Sequence, residues 1–142
     1  MTSESQKPKI YHSKVQIRFR DADPAGIMFF GNILGQSHDV FEDFIVSTGI
    51  NWNDWFNSKE WASPIRHTEV DFLSPFLPGK VYTCIVKVQK LSESSLYMQY
   101  EYRDEKEKLC SRVQMVHTFI SPTTFEKIDI PQPIRKILET YL

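Results

Sequence analysis

Asp21-Ala22-Asp23-Pro24-Ala25-Gly26-Ile27 divides this chain into two kinds of pattern. Upstream, from Lys14, apolar and polar residues alternate, with Val15, Ile17 and Phe19 on one side and Gln16, Arg18 and Arg20 on the other. A period of two is the mark of a half-buried strand. Downstream, Phe30, Ile33, Leu34, Phe41, Phe44 and Ile45 recur at helical spacings, and Ser37 completes the face. That periodicity predicts one helix of about four turns, closed by Gly49. Val40 lies beside the stripe, so the helix is expected to be covered on several sides. The junction thus sets two carboxylates, a proline and a glycine where a strand gives way to a helix. The first N–H groups of a helix have no partners inside it. A carboxylate beside such donors suits acyl chemistry: it attacks or activates water while the donors hold the developing oxyanion. Asp23 precedes a proline, which biases it to extended backbone, and Gly26 permits positive φ or a close backbone approach. On spacing alone, capping the helix is the commoner role for Asp23.

Beyond the helix, residues 51–63 read as irregular or briefly helical and carry Trp52, Trp55 and Trp61. Strands are predicted over Ile65–Phe72, Val81–Leu91, Ser95–Arg103 and Leu109–Ile120. Leu96, Met98, Tyr100 and Tyr102 share one face of the third of these, and Leu109, Val113, Met115 and Phe119 share one of the fourth. Asp104-Glu105-Lys106-Glu107-Lys108 reads as an exposed hairpin tip. Pro131 and Pro133 introduce a short C-terminal helix with Ile134, Ile137, Leu138 and Tyr141. The order is strand, long helix, then four strands joined by short turns, which favours antiparallel pairing. The expected class is α+β: a curled antiparallel sheet of about five strands wrapped around one long central helix. Free strand edges would then invite pairing with another subunit.

Length and composition set bounds. The 142 residues favour one domain over 10–142 behind a flexible tail over 1–9. Hydrophobic residues make up 41% and charged residues 25%, with a formal net charge of -1, so neither disorder nor a nucleic-acid partner is expected. No secretory signal and no membrane-spanning run is visible. Cys84 and Cys110 stand apart, with neither metal spacing nor a disulfide framework, so a reducing cytoplasm is expected and no metal.

The junction, with the order of elements, resembles the hot-dog-fold acyl-CoA thioesterases, specifically the 4-hydroxybenzoyl-CoA thioesterase family. Its pattern of Asp-x-Asp-Pro-Ala-Gly-Ile, then apolar or aromatic residues, then Asn, stands here as Asp21 to Asn32. Val70-Asp71-Phe72, then Pro75 and Gly79, is similar to that family's pattern before a long strand. Ser37-His38-Asp39-Val40-Phe41-Glu42 is similar to the helix of the 1,4-dihydroxy-2-naphthoyl-CoA hydrolase branch, which tilts the expected acyl group toward a bulky aromatic one.

The resemblance implies a homo-oligomer, dimer or tetramer, with active sites between subunits. It implies Asp23 as the catalytic carboxylate, nucleophile or general base, with a backbone N–H near Phe30 and Gly31 polarising the thioester carbonyl. Family members carry Tyr or, in a short-chain branch, His where this chain has Phe30. The substrate would be an aromatic or medium-chain acyl-CoA, with coenzyme A entering as part of it and no separate cofactor. Asp21, Pro24, Gly26, Asn32, His38 and His67 are the further substrate-binding candidates. Asp21 reads better as a hydrogen-bonding support than as a second catalyst. For Asn32 a buried amide bonded to backbone is at least as good a reading. A satisfied structural role is the safer reading of His67 and His117. The cysteines read as core residues, the three tryptophans as packing or an acyl-pocket wall, and Lys87, Lys90 and Arg103 as candidate contacts for the CoA phosphates. Two other classes stay open: a non-catalytic acyl-CoA or acyl-carrier binding module, and a hot-dog hydratase or dehydratase. Asp23 argues against the first, and the lack of a His between Asp21 and Asn32 against the second.

Overall fold

The computed structural model describes residues 7–142, so most of the expected tail lies outside the described residues. At the end of that segment the Lys9 N–H donates to the Thr140 carbonyl at 2.9 Å. Strand β1 runs Tyr11–Gln16 and stops sooner than the alternation suggests. The cause is local. The Arg18 N–H turns to the Asp21 carboxylate at 2.9 Å, and Phe19–Asp21 closes into a single 3₁₀ turn. Ile17 stays buried, but Phe19, expected beside it, is 91% exposed.

Helix α1 spans Asn32–Ser47 and buries Ile33, Ser37, Val40, Phe41, Phe44 and Ile45, the stripe that the spacing predicts. Gly49 follows the helix at φ +94°, where a side chain would be strained. Phe30 is the exception. It precedes the helix, and at 66% exposed it leaves the buried face. A five-residue helix, α2, covers Trp52–Phe56, and the Asn51 side chain accepts from the Asn53 N–H to cap it.

The remaining strands are β2 Ile65–Phe72, β3 Val81–Leu91, β4 Ser95–Arg103 and β5 Leu109–Thr118. With β1 they form one five-stranded sheet, ordered β1-β3-β4-β5-β2 and antiparallel throughout. Register follows the alternation. Met98 faces Met115 and Tyr100 faces Val113, and all four side chains are buried on the α1 side. The Ser37 and Tyr102 hydroxyls meet at 2.8 Å, pinning α1 to β4 inside the core. Full burial of side chains such as Phe44 contributes roughly 1.5–3 kcal/mol each. Helix α3, Gln132–Glu139, buries Leu138, and Tyr141 just beyond it meets Phe44 edge-on at 5.0 Å.

Cys84 and Cys110 are free and buried, and burial pushes the Cys84 thiol up to about 12, far from nucleophilic use. Trp55, Trp61 and Phe119 form an aromatic cluster with centroids 4.9–5.8 Å apart. Strand β2 is different in kind. It pairs only with β5, and nearly every residue on it is exposed. No helix among the described residues is long and apolar enough to cross a membrane.

Candidate active site at the Asp23 loop

The expected strand-to-helix hand-over is a folded loop. Ala22 bridges Met28, the Asp23 N–H donates to the Ile27 carbonyl at 2.9 Å, and the Gly26 N–H donates to the Asp23 carbonyl at 3.0 Å. Pro24 supplies the fixed φ of the first turn position, and Gly26 takes φ +80°. The Asp23 carboxylate accepts from the Ala25 N–H at 2.8 Å. It therefore caps its own turn rather than the helix, whose N-terminal flanking residue is Gly31. One carboxylate oxygen is held in place and the other has no protein partner among the described residues.

Asp21 and Asn32 form the support beneath this loop. The Asn32 side-chain amide donates to the Asp21 carbonyl at 2.9 Å, and the Phe29 N–H donates to the same oxygen at 2.8 Å. Asp21 is thus a brace, and the amide nitrogen of Asn32 is committed to backbone. Gln36, which the sequence did not single out, reaches the Asp21 carboxylate from α1 at 3.4 Å through its Nε2. Nothing in the local pattern marks it, because the contact joins a loop to the second turn of a helix.

The backbone N–H groups of Phe30 and Gly31 donate to no acceptor among the described residues. They sit immediately before α1, where the helix dipole adds partial positive charge. A Cβ at Gly31 would come within 2.8 Å of the Phe29 ring, so the bare backbone lets the chain pass close there. Beside these donors is an open apolar hollow of about 290 Å³ lined by Ile27, Phe30, Phe72, Leu73 and Phe76. The Met28 N–H fastens the loop to the Phe76 carbonyl at 2.8 Å. A positioned carboxylate, two uncommitted N–H donors and an apolar receptacle are the parts an acyl-transfer site needs.

A scan against family models matches residues 17–138 to the Thioesterase-like superfamily. The chain belongs to that superfamily. Its relatives are thioester hydrolases, and so is this protein. It is 32% identical over 124 residues to the 1,4-dihydroxy-2-naphthoyl-CoA hydrolase of Nostoc punctiforme, covering 87% of this chain and 83% of the relative. The enzyme of the same name from Acaryochloris marina is 29% identical over 89% of this chain and 90% of its own. A 1,4-dihydroxy-2-naphthoyl-CoA thioesterase of known structure from Synechocystis superposes with a TM-score of 0.84 at 23% identity, covering 92% of this chain and 96% of that one. A Staphylococcus aureus protein solved in complex with CoA has a TM-score of 0.87 at 16% identity, covering 98% and 87%. These two likenesses bear on the fold, and the fold is the expected hot-dog.

Other candidates of this thioesterase chain lie elsewhere. His38 is on α1 near Glu42, Nδ1 to carboxylate 3.5 Å, and borders a different cavity. His67 pairs with Glu69 at 2.8 Å on exposed β2. Neither meets the Asp23 loop within this chain. The cations considered for phosphate are engaged on the sheet. Lys87 and Arg103 hold Glu101 at 2.7 and 3.1 Å, and Lys90 lies 5.1 Å above the Tyr97 ring. Burial pushes the Glu101 carboxyl up, but Lys87 and Arg103 together outweigh it and hold the group below its ordinary value. No group of three or more His, Cys, Asp or Glu side chains among the described residues is arranged to hold a metal ion.

Proposed function

We propose that this protein hydrolyses the thioester of an aromatic acyl-CoA, with Asp23 as its catalytic carboxylate. The curated relatives support that substrate class, and 1,4-dihydroxy-2-naphthoyl-CoA is the first compound to test. The observation that carries the reading is the pair of uncommitted N–H groups at Phe30 and Gly31 beside the Asp23 loop. The thioester carbonyl would lie against these donors and its ring in the Phe30–Phe72 hollow. Asp23 either attacks the carbonyl carbon, giving an acyl–Asp23 anhydride that water hydrolyses after CoA has left, or takes a proton from the attacking water. The tetrahedral oxyanion collapses, the C–S bond breaks, and CoA leaves as a thiolate that picks up a proton. A thiolate leaves readily, so no strong general acid is needed.

The site is completed by a second copy of the chain. At the Phe72 end of the free edge of β2, the exposed Phe29, Phe30, Phe72 and Leu73 form an apolar tract beside the loop. Apolar tracts of this kind mark interaction surfaces. Edge-to-edge pairing of two β2 strands would cover it and make a dimer, and two dimers would make the homotetramer. A cytoplasmic setting fits a CoA thioester and the two free cysteines.

The test is thiol release from aromatic, short-, medium- and long-chain acyl-CoAs, with Asp23→Asn in parallel. One aromatic thioester should turn over well, and the variant should lose about 100- to 10,000-fold. Full activity in Asp23→Asn removes the carboxylate from the mechanism. CoA-ester binding without turnover favours the binding-module reading. Single turnover in ¹⁸O-water tests direct attack: label in the Asp23 carboxylate means an acyl–Asp23 anhydride opened by water at the Asp23 carbonyl, whereas label in the acid product alone fits base catalysis or opening at the acyl carbonyl.

A further inference from the structure

The carboxylate and the N–H donors of the Asp23 loop are tied to one backbone oxygen. The Asp21 carbonyl lies two residues before Asp23 and accepts two hydrogen bonds, from the Phe29 N–H at 2.8 Å and from the Asn32 side-chain amide at 2.9 Å. The Asn32 N–H closes the same stretch by donating to the Phe29 carbonyl at 3.0 Å. Residues 29 and 32 are therefore both fastened to Asp21. The two residues between them are Phe30 and Gly31, whose N–H groups are uncommitted among the described residues. On the other side, Asp21 is joined to Asp23 through Ala22 alone. The Ala22–Met28 bridge and the Asp23–Ile27 hydrogen bond leave that link little freedom. The separation of the Asp23 carboxylate from the donors is set through the Asp21 carbonyl.

Helix α1 supplies the ties. Asn32 and Gln36 are four residues apart and stand one above the other on the same face. Asn32 takes the Asp21 carbonyl, and Gln36 reaches the Asp21 carboxylate through Nε2 at a longer 3.4 Å. The Arg18 N–H holds the same carboxylate oxygen from the strand side at 2.9 Å. Gln36 makes its contact at a disadvantage to the fold. Its Oε1 is sealed from solvent and accepts from no donor among the described residues, and a buried acceptor left unpaired is destabilising. Methionine is of similar length and carries no such group. A side chain that weakens the fold while bracing the site points to a task there. We propose that Asn32, with Gln36 behind it, is a positioning residue for thioester hydrolysis. Through Asp21 the pair fixes the Phe30 and Gly31 N–H groups relative to the Asp23 carboxylate, and neither side chain touches the substrate. This role rests on Asp23 and the two donors being the catalytic parts. Placement acts on the chemical step, where a shift of about 1 Å lowers a rate ~100-fold, and leaves substrate affinity alone.

The experiment measures kcat and KM for 1,4-dihydroxy-2-naphthoyl-CoA and benzoyl-CoA in the wild type, Asn32→Ala, Gln36→Met and Asp23→Asn, with amide hydrogen exchange of the same proteins free of substrate. Asn32→Ala should lower kcat about 10- to 100-fold and leave KM within about twofold. Gln36→Met gives up only the longer bond. It should lower kcat about three- to tenfold and unfold at the same or a higher temperature, which a merely structural role would not produce. This second variant keeps the test open if Asn32→Ala fails to fold. In Asn32→Ala the Phe29 amide should exchange faster while Phe41 to Ile45 keep their protection, the sign of a loosened tie on an intact helix. A raised KM with kcat kept would make Asn32 a substrate contact and overturn the positioning role. Phe29 exchange that does not move, or a kcat within about twofold of wild type in both α1 variants, overturns it as well. Full rate in Asp23→Asn is a different failure, because it removes the catalytic carboxylate itself. An inactive Asp23→Asn beside fully active α1 variants removes only the role given to Asn32 and Gln36.

Discussion

Strands β4 and β2 carry the same kind of alternation and meet opposite environments. On β4, Leu96, Met98, Tyr100 and Tyr102 are all sealed beneath α1. On β2 the residues facing the same side are Thr68, Val70 and Phe72, opposite Met115, Val113 and Ser111, and Phe72 is 46% exposed. The helix reaches across the middle of the sheet and stops short of that edge. An apolar face is therefore not evidence of a core. Over β4 the covering element is α1 of the same chain, and over β2 none of the described residues supplies one. The Asp23 loop sits on the uncovered side, so the proposed site and the open face coincide.

The largest effect is expected where cover is complete. Phe44→Ala should cost ~3–5 kcal/mol in urea unfolding, by loss of contact and an unfilled cavity. A loss below 1 kcal/mol would mean that α1 is not the central element of the core.

Next comes the pH dependence of His117. Burial lowers its folded value to about 4 from an ordinary 6.5. Between those values the unfolded chain binds a proton that the folded chain refuses, so the contribution is whole above pH 6.5 and falls as pH drops toward 4. Between pH 7 and 5 this amounts to ~2 kcal/mol. The wild type should lose that much more stability over the interval than His117→Phe. Parallel curves would contradict a buried neutral imidazole.

On the open side, Phe72→Glu should change the unfolding free energy of a single subunit by no more than ~0.5 kcal/mol. The same change should shift the sedimenting species toward one 16.7 kDa chain. A wild type that already sediments as a monomer would remove the paired-edge reading. The smallest effect concerns Phe30→Ala. If only the backbone N–H serves the oxyanion, kcat should stay within about threefold, whereas losing a donor costs ~100-fold or more.

Much of this was legible before any coordinates. Strands β2, β3 and β4 begin and end where the alternation and turn residues place them, because proline, glycine, serine and charged residues bound each run. What failed lay at the junction. Phe19 continues the period of two, but period cannot register that the Arg18 N–H prefers the Asp21 carboxylate to a neighbouring strand. Phe30 fits the helical stripe by spacing, yet the chain is still turning there. Asp23 and Asp21 were found through the motif, which already read Asp21 as a hydrogen-bonding support, but that Asp23 caps its own turn and not the helix needed the hydrogen bonds. The reach of Gln36 to Asp21, and the stacking of Phe41 on His117, had no local signal at all. Both are contacts between residues that only the fold brings together.

The strand order has a further consequence, for the time course of folding. Strands β3, β4 and β5 are neighbours in sequence and in the sheet, so their hairpins can form early at small entropic cost. The outer pairings, Tyr11 opposite Val86 and Ile65 opposite His117, join residues more than fifty positions apart. Non-local pairings of that kind slow folding. The central meander is thus expected to gain hydrogen-exchange protection first and β2 to dock late, so that a newly made chain shows its stickiest edge only after the remainder has set.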